Sequence, residues 1–196
     1  KELQKPVIFA GGVWTWNGLA PNYGKTIATT NAAMKACKKE SIDRVYITLW
    51  GDDGAETPFD TSLLGIQLFA EHRFSQEVSA NLLEKRFKEL QGESAQSFLL
   101  LDAFDQTDGV SPDNPEGSAV SKLILYQDPL LGLYDKNLDA FPLQDHYQSL
   151  SKKLANCDFT NHSQKLFTYY QTLVDILVIK TDLGNQLQEI YQKNNK

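Results

Sequence analysis

The sequence predicts a parallel α/β segment followed by an all-helical one, with the change near Phe74. Three observations carry this. The run V-Y-I-T-L, Val45 to Leu49, leads straight into Trp50, Gly51 and acidic residues. A continuous run of this kind, bounded by turn residues, reads as a strand buried on both faces. A second strand-like run precedes it, with a loop, a helix and a turn between, and such βαβ units build parallel sheets with right-handed crossovers. Finally, two apolar stripes run along one helical stretch from Ser163 to about Asn194, so that helix packs against more than one neighbour.

Taken in order, Lys1 to Lys5 is a polar lead-in, and Pro6 opens V-I-F-A-G-G-V-W-T-W, a strand with Gly11-Gly12 as a bend or bulge. Trp14 and Trp16 are two apart, so in extended chain they point to the same side. Asn17 to Lys25 is a loop by its Gly, Pro and Asn content. Thr29 and Thr30 suit the start of a helix whose small apolar face is Ala33, Met34 and Cys37. Ser41 to Arg44 then turns the chain into the Val45 strand. Beyond Glu56, Pro58 to Ser62 is a loop and Leu63 to Ala70 a short helix. Ser75 caps a helix to about Gln91, with Val78, Leu82, Leu83, Phe87 and Leu90 as its apolar side, and Gly92 stops it. Ser94 opens another helix. Thr107 to Gly117 is an acidic, Pro/Gly-rich surface loop, in and around which Asp105, Asp108, Asp113 and Glu116 keep the chain in water. Val120 to Tyr126 is a helix ending before Asp128-Pro129, and Leu143 to Asn156 is a modest helix.

With 196 residues, 41% of them hydrophobic and 22% charged, the composition is that of a soluble globular protein able to bury a sizeable core. A net charge of -6 speaks against nucleic acid as a partner. No apolar run approaches a membrane span, and nothing at the start resembles a signal peptide. Cys37 and Cys157 fit no metal or redox spacing and read as buried thiols of a reducing compartment, so a cytoplasmic location is expected. Met34 is the only methionine, which makes the chain an expected piece of something longer.

In parallel α/β proteins ligands bind beyond the carboxyl ends of the strands. Trp50, Asp52, Asp53 and Glu56 fall at that end. A flat apolar ring beside hydrogen-bond acceptors suits a sugar, whose C–H face stacks and whose hydroxyls donate. The spacing of the carboxylates alone equally allows a solvated turn or a helix cap, and it matches no calcium loop. Any one tryptophan beside a strand is ordinarily a core residue; three of them, all near two strand ends, point to a ring-lined site. Gly18 to Thr26 nearly matches the phosphate loop G-x-x-x-x-G-K-T, but five residues rather than four separate its glycines and Pro21 has no N–H to give. Nucleotide binding is therefore a remote third reading. His72, His146 and His162 have no partner at a telling interval and read as surface or helix-end residues. No metal or cofactor is expected.

The stretches F-A-G-G-V-W-T-W-N-G-L-A-P, Phe9 to Pro21, and V-Y-I-T-L-W-G-D-D-G-A-E, Val45 to Glu56, resemble the last two strands of a glycoside hydrolase family 20 barrel. The match is to the bacterial exo-β-N-acetylglucosaminidase branch with a helical C-terminal domain, and Leu123 to Asp135 is similar to that branch too. The resemblance implies that residues 1–74 hold the last two βα units of a (β/α)8 TIM barrel and residues 75–196 a helical domain. It implies a retaining β-N-acetylhexosaminidase acting on glycans with terminal β-linked N-acetylglucosamine or N-acetylgalactosamine, in which the substrate's own acetamido oxygen is the nucleophile. The family's acid belongs to an Asp-Glu pair on the fourth strand. No Asp-Glu dipeptide occurs here, so the chain alone is expected to be inert and to need the N-terminal remainder of its barrel. By the same resemblance, Trp50 walls the sugar site. Asp52 stands where many members have Glu after Trp-Gly, which leaves open whether Asp52, Asp53 or Glu56 binds the distal hydroxyls. Trp14 and Trp16 line the acetamido side. The runner-up is a non-catalytic helical interaction module with a sheet fragment attached; a concave cluster of the three tryptophans beside a carboxylate favours the hydrolase.

Overall fold

The computed structural model describes residues 5–51, 54–138, 140–160 and 162–194. Among them are two strands and eight α-helices, so the chain is mostly helical. β1 (Phe9–Gly12) and β2 (Val45–Thr48) flank α1 (Tyr23–Lys39) and pair in parallel, Phe9 opposite Val45 and Gly12 opposite Thr48. This is the predicted βαβ unit. Backbone bonds from Phe9 N to Arg44 O and from Val13 N to Thr48 O, both 3.0 Å, continue the ladder at its two ends.

One face of this ribbon is covered. A groove lined by Met34 and Cys37 of α1, Val45 and Ile47 of β2, and Phe69 of α2 (Ser62–Phe74) marks the helix-bearing side. Gly11 faces it as well: a Cβ there would lie 2.5 Å from the Phe69 ring, so only glycine lets the helix approach so closely. The opposite face is bare, with Ala10 exposed and Tyr46 59% exposed.

Two helix starts differ from expectation. α1 begins at Tyr23, not near Thr29, because the Asn22 side chain accepts from Lys25 N at 2.9 Å. Thr29 lies inside the helix and turns its hydroxyl back to Lys25 O. Ser75 ends α2 instead of starting the next helix. α2 reaches Phe74 because its polar residues find buried partners: Gln67 Nε2 donates to Glu71 Oε1 at 2.6 Å, and His72 Nε2 to Asn31 Oδ1 at 2.7 Å. α3 (Ala80–Gln91) then starts at Ser79, whose hydroxyl accepts from Leu82 N, and Gly92 closes it at φ +72.

The remaining helices are α4 (Ala95–Leu99), α5 (Val120–Tyr126), α6 (Asp135–Leu138), α7 (Leu143–Ala155) and α8 (Gln164–Asn194). α7 and α8 form a hairpin, tied by Ser151 Oγ to Asp175 and Gln144 Nε2 to Val178 O. Lys180 of α8 donates to Leu125 O and Gln127 O and so caps the carbonyl end of α5. Edge-on contacts link the Phe87, Phe98 and Phe167 rings, and Phe159 stacks on Phe167 at 3.7 Å. The core does not stop at Phe74: Leu19, Tyr23, Leu64 and Leu68 belong to the same apolar cluster as Phe87, Phe98, Tyr147, Tyr170 and Leu177.

Candidate functional site

The carboxyl ends of β1 and β2 converge on Thr48. Its hydroxyl donates to Gly11 O at 2.9 Å and accepts from Trp50 Nε1 at 3.0 Å. Trp16 lies across the end of β1: a Cβ on Gly12 would meet its ring at 2.8 Å and Thr48 Oγ1 at 3.6 Å. Trp14 stacks on Trp16 with centroids 4.4 Å apart, and Lys25 Nζ sits 3.7 Å over the Trp14 ring. The structure thus brings Trp14, Trp16 and Trp50 to one end of one sheet. Trp14 is in contact with both Trp16 and Lys25, whereas Trp50 is 54% exposed.

The loop after Trp50 carries the carboxylates. Asp52 and Asp53 lie outside the described residues. Gly54 at φ +99 and Ala55 at φ +53 fold the loop back on itself, to the point that a Cβ on Gly51 would sit 3.4 Å from that of Ala55. Glu56 turns toward the helices: Tyr126 Oη donates to Oε1 at 2.5 Å, and Lys122 Nζ lies 2.6 Å from Oε2. These two contacts hold the Glu56 carboxyl below its usual range, and the same carboxylate raises the Tyr126 phenol. Thr57 Oγ1 donates to Gly18 O at 2.8 Å, pinning the far end of the loop to the segment after Trp16.

The near-match to a phosphate loop serves internal contacts. Lys25 Nζ donates to Pro115 O at 2.6 Å, and Thr26 Oγ1 accepts from Trp14 N while donating to Asn22 O. The helix N–H groups that a phosphate would need are taken too, since Tyr23 N donates to Asp102 Oδ1 at 2.6 Å and Gly24 N reaches the same side chain. Asp105, expected in solvent, is buried and accepts from Ser121 N at 2.9 Å. The acidic loop therefore packs back on the start of α1, with Asn22 Nδ2 donating to Asn114 O.

His72, expected at the surface, is buried, and burial together with nearby Lys38 lowers its pKa. His146 Nε2 donates to Ala103 O at 2.6 Å. Cys37 and Cys157 are free thiols, the former buried and the latter half-buried. Among the described residues no three metal-ligating side chains gather, and no helix is long and apolar enough to cross a membrane.

Sequence reasoning missed Thr48, Lys122 and Tyr126. The two-residue spacing of Thr48 and Trp50 places them on one face of extended chain, a signal open to reading. Lys122 and Tyr126 are four apart on α5 and so share a helix face, but nothing local names Glu56 as their partner.

The protein-family model described as Glycoside Hydrolase 20C C-terminal domain matches residues 96–196, just over half of the chain. Comparison with curated proteins gave no match.

Proposed function

The chain belongs to the family that carries the Glycoside Hydrolase 20C C-terminal domain, and from that premise we propose that it is the C-terminal part of a retaining exo-β-N-acetylhexosaminidase. Residues 1–74 would close a (β/α)8 barrel and residues 75–196 form its helical domain. The substrates would be glycans ending in β-linked N-acetylglucosamine or N-acetylgalactosamine. The observation that carries this is the gathering of Trp16 and Trp50 at Thr48, with Trp14 stacked on Trp16, at the carboxyl ends of two parallel strands. Ligands bind at that end in parallel barrels.

The sheet itself supports the barrel. Parallel strands are ordinarily buried on both faces, and a lone two-stranded ribbon is marginal in water. Here each strand pairs only with the other among the described residues, and Val7, Ile8 and Tyr46 are exposed. Further strands of the same barrel would cover them. Free Cys37 and Cys157 support a reducing, cytoplasmic setting.

In this reading the open face of Trp50 stacks on the sugar and a carboxylate on the following loop accepts from its hydroxyls. With both oxygens of Glu56 engaged by α5, Asp52 is assigned the hydroxyl-binding role and Asp53 a lesser one. The acetamido oxygen of the substrate attacks C1 as a carboxylic acid from the remainder of the barrel protonates the leaving oxygen. This chain has no Asp-Glu dipeptide to supply that acid.

Two measurements test the proposal. The pure 196-residue chain should not hydrolyse a chromogenic β-N-acetylglucosaminide, and turnover by it would overturn the division of labour. In the whole enzyme, Trp50→Ala should lower kcat/KM by about 10²-fold, the cost of losing a positioning contact. Asp52→Ala should lower kcat as well as raise KM, with Asp52→Asn intermediate because it keeps an acceptor without its charge. If Trp50→Ala and Asp52→Ala are both silent, the site is wrong. The alternative, a helical interaction module, draws on exposed Leu130, Leu131, Ile190 and Tyr191 beside the end of α8.

A further inference from the structure

We propose that Thr48 is a positioning residue for the sugar site, its hydroxyl holding the Trp50 ring in the orientation that stacks on the ligand. This deepens the reading of Trp50 as a wall of that site, and rests on it.

Thr48 is the last residue of β2, and its register partner across the ribbon is Gly12. Side chains alternate along a strand. Val45 and Ile47 line the groove on the helix-bearing face, so Tyr46 and Thr48 stand on the opposite, bare face. Trp50, two residues further on, lies on the same side, as its bond to Thr48 shows. In a parallel barrel the face away from the helices is the interior, which Val, Ile and Leu ordinarily fill. Thr48 has the shape of a valine, so what it adds at this position is the hydroxyl.

That hydroxyl is committed. An indole N–H only donates and a carbonyl oxygen only accepts. The bonds therefore run one way, from Trp50 Nε1 to Thr48 Oγ1 at 3.0 Å and from Thr48 Oγ1 to Gly11 O at 2.9 Å. With its single proton given to Gly11 O, Thr48 has none to offer a ligand, and its effect passes through the ring. Gly11 O belongs to β1, so the ring is referred to both strands at once. An exposed ring turns about a broad χ2 unless something holds its edge. Trp50 is 54% exposed, and its indole N–H is the edge that is held.

A side chain ordered in advance does not have to be ordered on binding, which is worth about 2- to 10-fold in affinity. Cutting the bond should therefore raise KM and leave the chemical step nearly unchanged. NMR relaxation of the indole N–H groups in the 196-residue chain reads the first step. Trp50→Phe deletes one of the three indole signals and so identifies it. In Thr48→Val the order parameter of the Trp50 indole should fall from about 0.85 to below about 0.6, with Trp14 unchanged and Thr48→Ser near wild type. An unchanged Trp50 order parameter overturns the proposal. Should Thr48→Val alter Trp14 as well, Thr48→Ala, which cannot crowd the strand, decides.

Kinetics of the same variants in the whole enzyme give the second arm. KM for a chromogenic β-N-acetylglucosaminide should rise about 5-fold in Thr48→Val with kcat within about 2-fold, and Thr48→Ser should restore it. In a Trp50→Phe background, which has no indole N–H, Thr48→Val should add nothing. An equal rise in both backgrounds, or an unchanged KM while Trp50→Ala still cripples the enzyme, overturns the positioning role and leaves the site standing. If Thr48→Val and Trp50→Ala are both silent, the sugar site is removed, and the positioning role with it.

Discussion

Asp102 and Asp105 show how burial and hydrogen bonding contend at single residues. Both are pushed up by burial, Asp102 to about 7 and Asp105 to about 6, against the pull of the N–H groups they accept from. Asp102 receives Tyr23 N and Gly24 N at the first turn of α1, where a carboxylate is favoured; Asp105 adds like charge beside it, and the phenols of Tyr147 and Tyr170 face the same region. A carboxyl whose folded pKa is raised binds its proton more tightly when folded, so its stabilising contribution is full below about 4 and is lost as pH rises through 6 to 7. Wild type should therefore lose stability from pH 5 to pH 8 relative to Asp105→Asn. The loss should be roughly 1–3 kcal/mol, because each tenfold difference in proton affinity between folded and unfolded chain is worth about 1.4 kcal/mol. Urea unfolding of the two proteins at both pH values checks this. Parallel pH profiles would mean that Asp105 does not carry the effect. Asp102→Ala should destabilise at every pH, because it leaves Tyr23 N without its acceptor, at about 1–3 kcal/mol.

At the scale of elements, the boundary between α2 and α3 makes a direct comparison. Ser75 and Ser79 carry the same capping hydroxyl in the same polar stretch, and only Ser79 accepts from a helix N–H, that of Leu82. Ser79→Ala should cost about 1 kcal/mol and Ser75→Ala under about 0.5 kcal/mol, measured as urea midpoints at constant slope. Equal costs would move the start of α3. The sequence favoured Ser75 because nothing local revealed that α2 continues to Phe74. That extension depends on His72 meeting Asn31, a partner 41 residues away. The start of α1 is mixed: its Asn22 cap is local, but Asp102, which accepts from Tyr23 N, lies 79 residues beyond it. Legible features were those written in local periodicity: the parallel pair, α5, α7, the long α8, and three tryptophans at the strand ends. The Glu56 tether was not legible, because a carboxylate near a strand end looks the same whether it faces a sugar or a lysine 66 residues later.

For the molecule as a whole, the decisive fact is that one apolar core runs through both segments. Leu64 and Leu68 of α2 lie in it with Phe87, Phe98 and Tyr170, and Tyr170 Oη donates to Leu19 O across 151 residues of chain. Two segments that share a core lose each other's packing when either opens, so unfolding should be a single transition. The chain carries its own two probes. All three tryptophans sit at the strand ends, with Trp14 and Trp16 beside the Leu19–Tyr23 stretch of the core, while far-UV dichroism reports mainly the helices. Fluorescence and dichroism should therefore give coincident melting curves. Leu68→Ala should shift both together, by about 2–5 kcal/mol, because the residue is 2% exposed and its loss leaves a cavity between α2 and the helices behind it. If the tryptophan signal melts first, and Leu68→Ala moves it while leaving the helical signal in place, then the contacts at Leu19, Leu64 and Leu68 join two separately folding units. In that case α5 would be free to release Glu56 without unfolding.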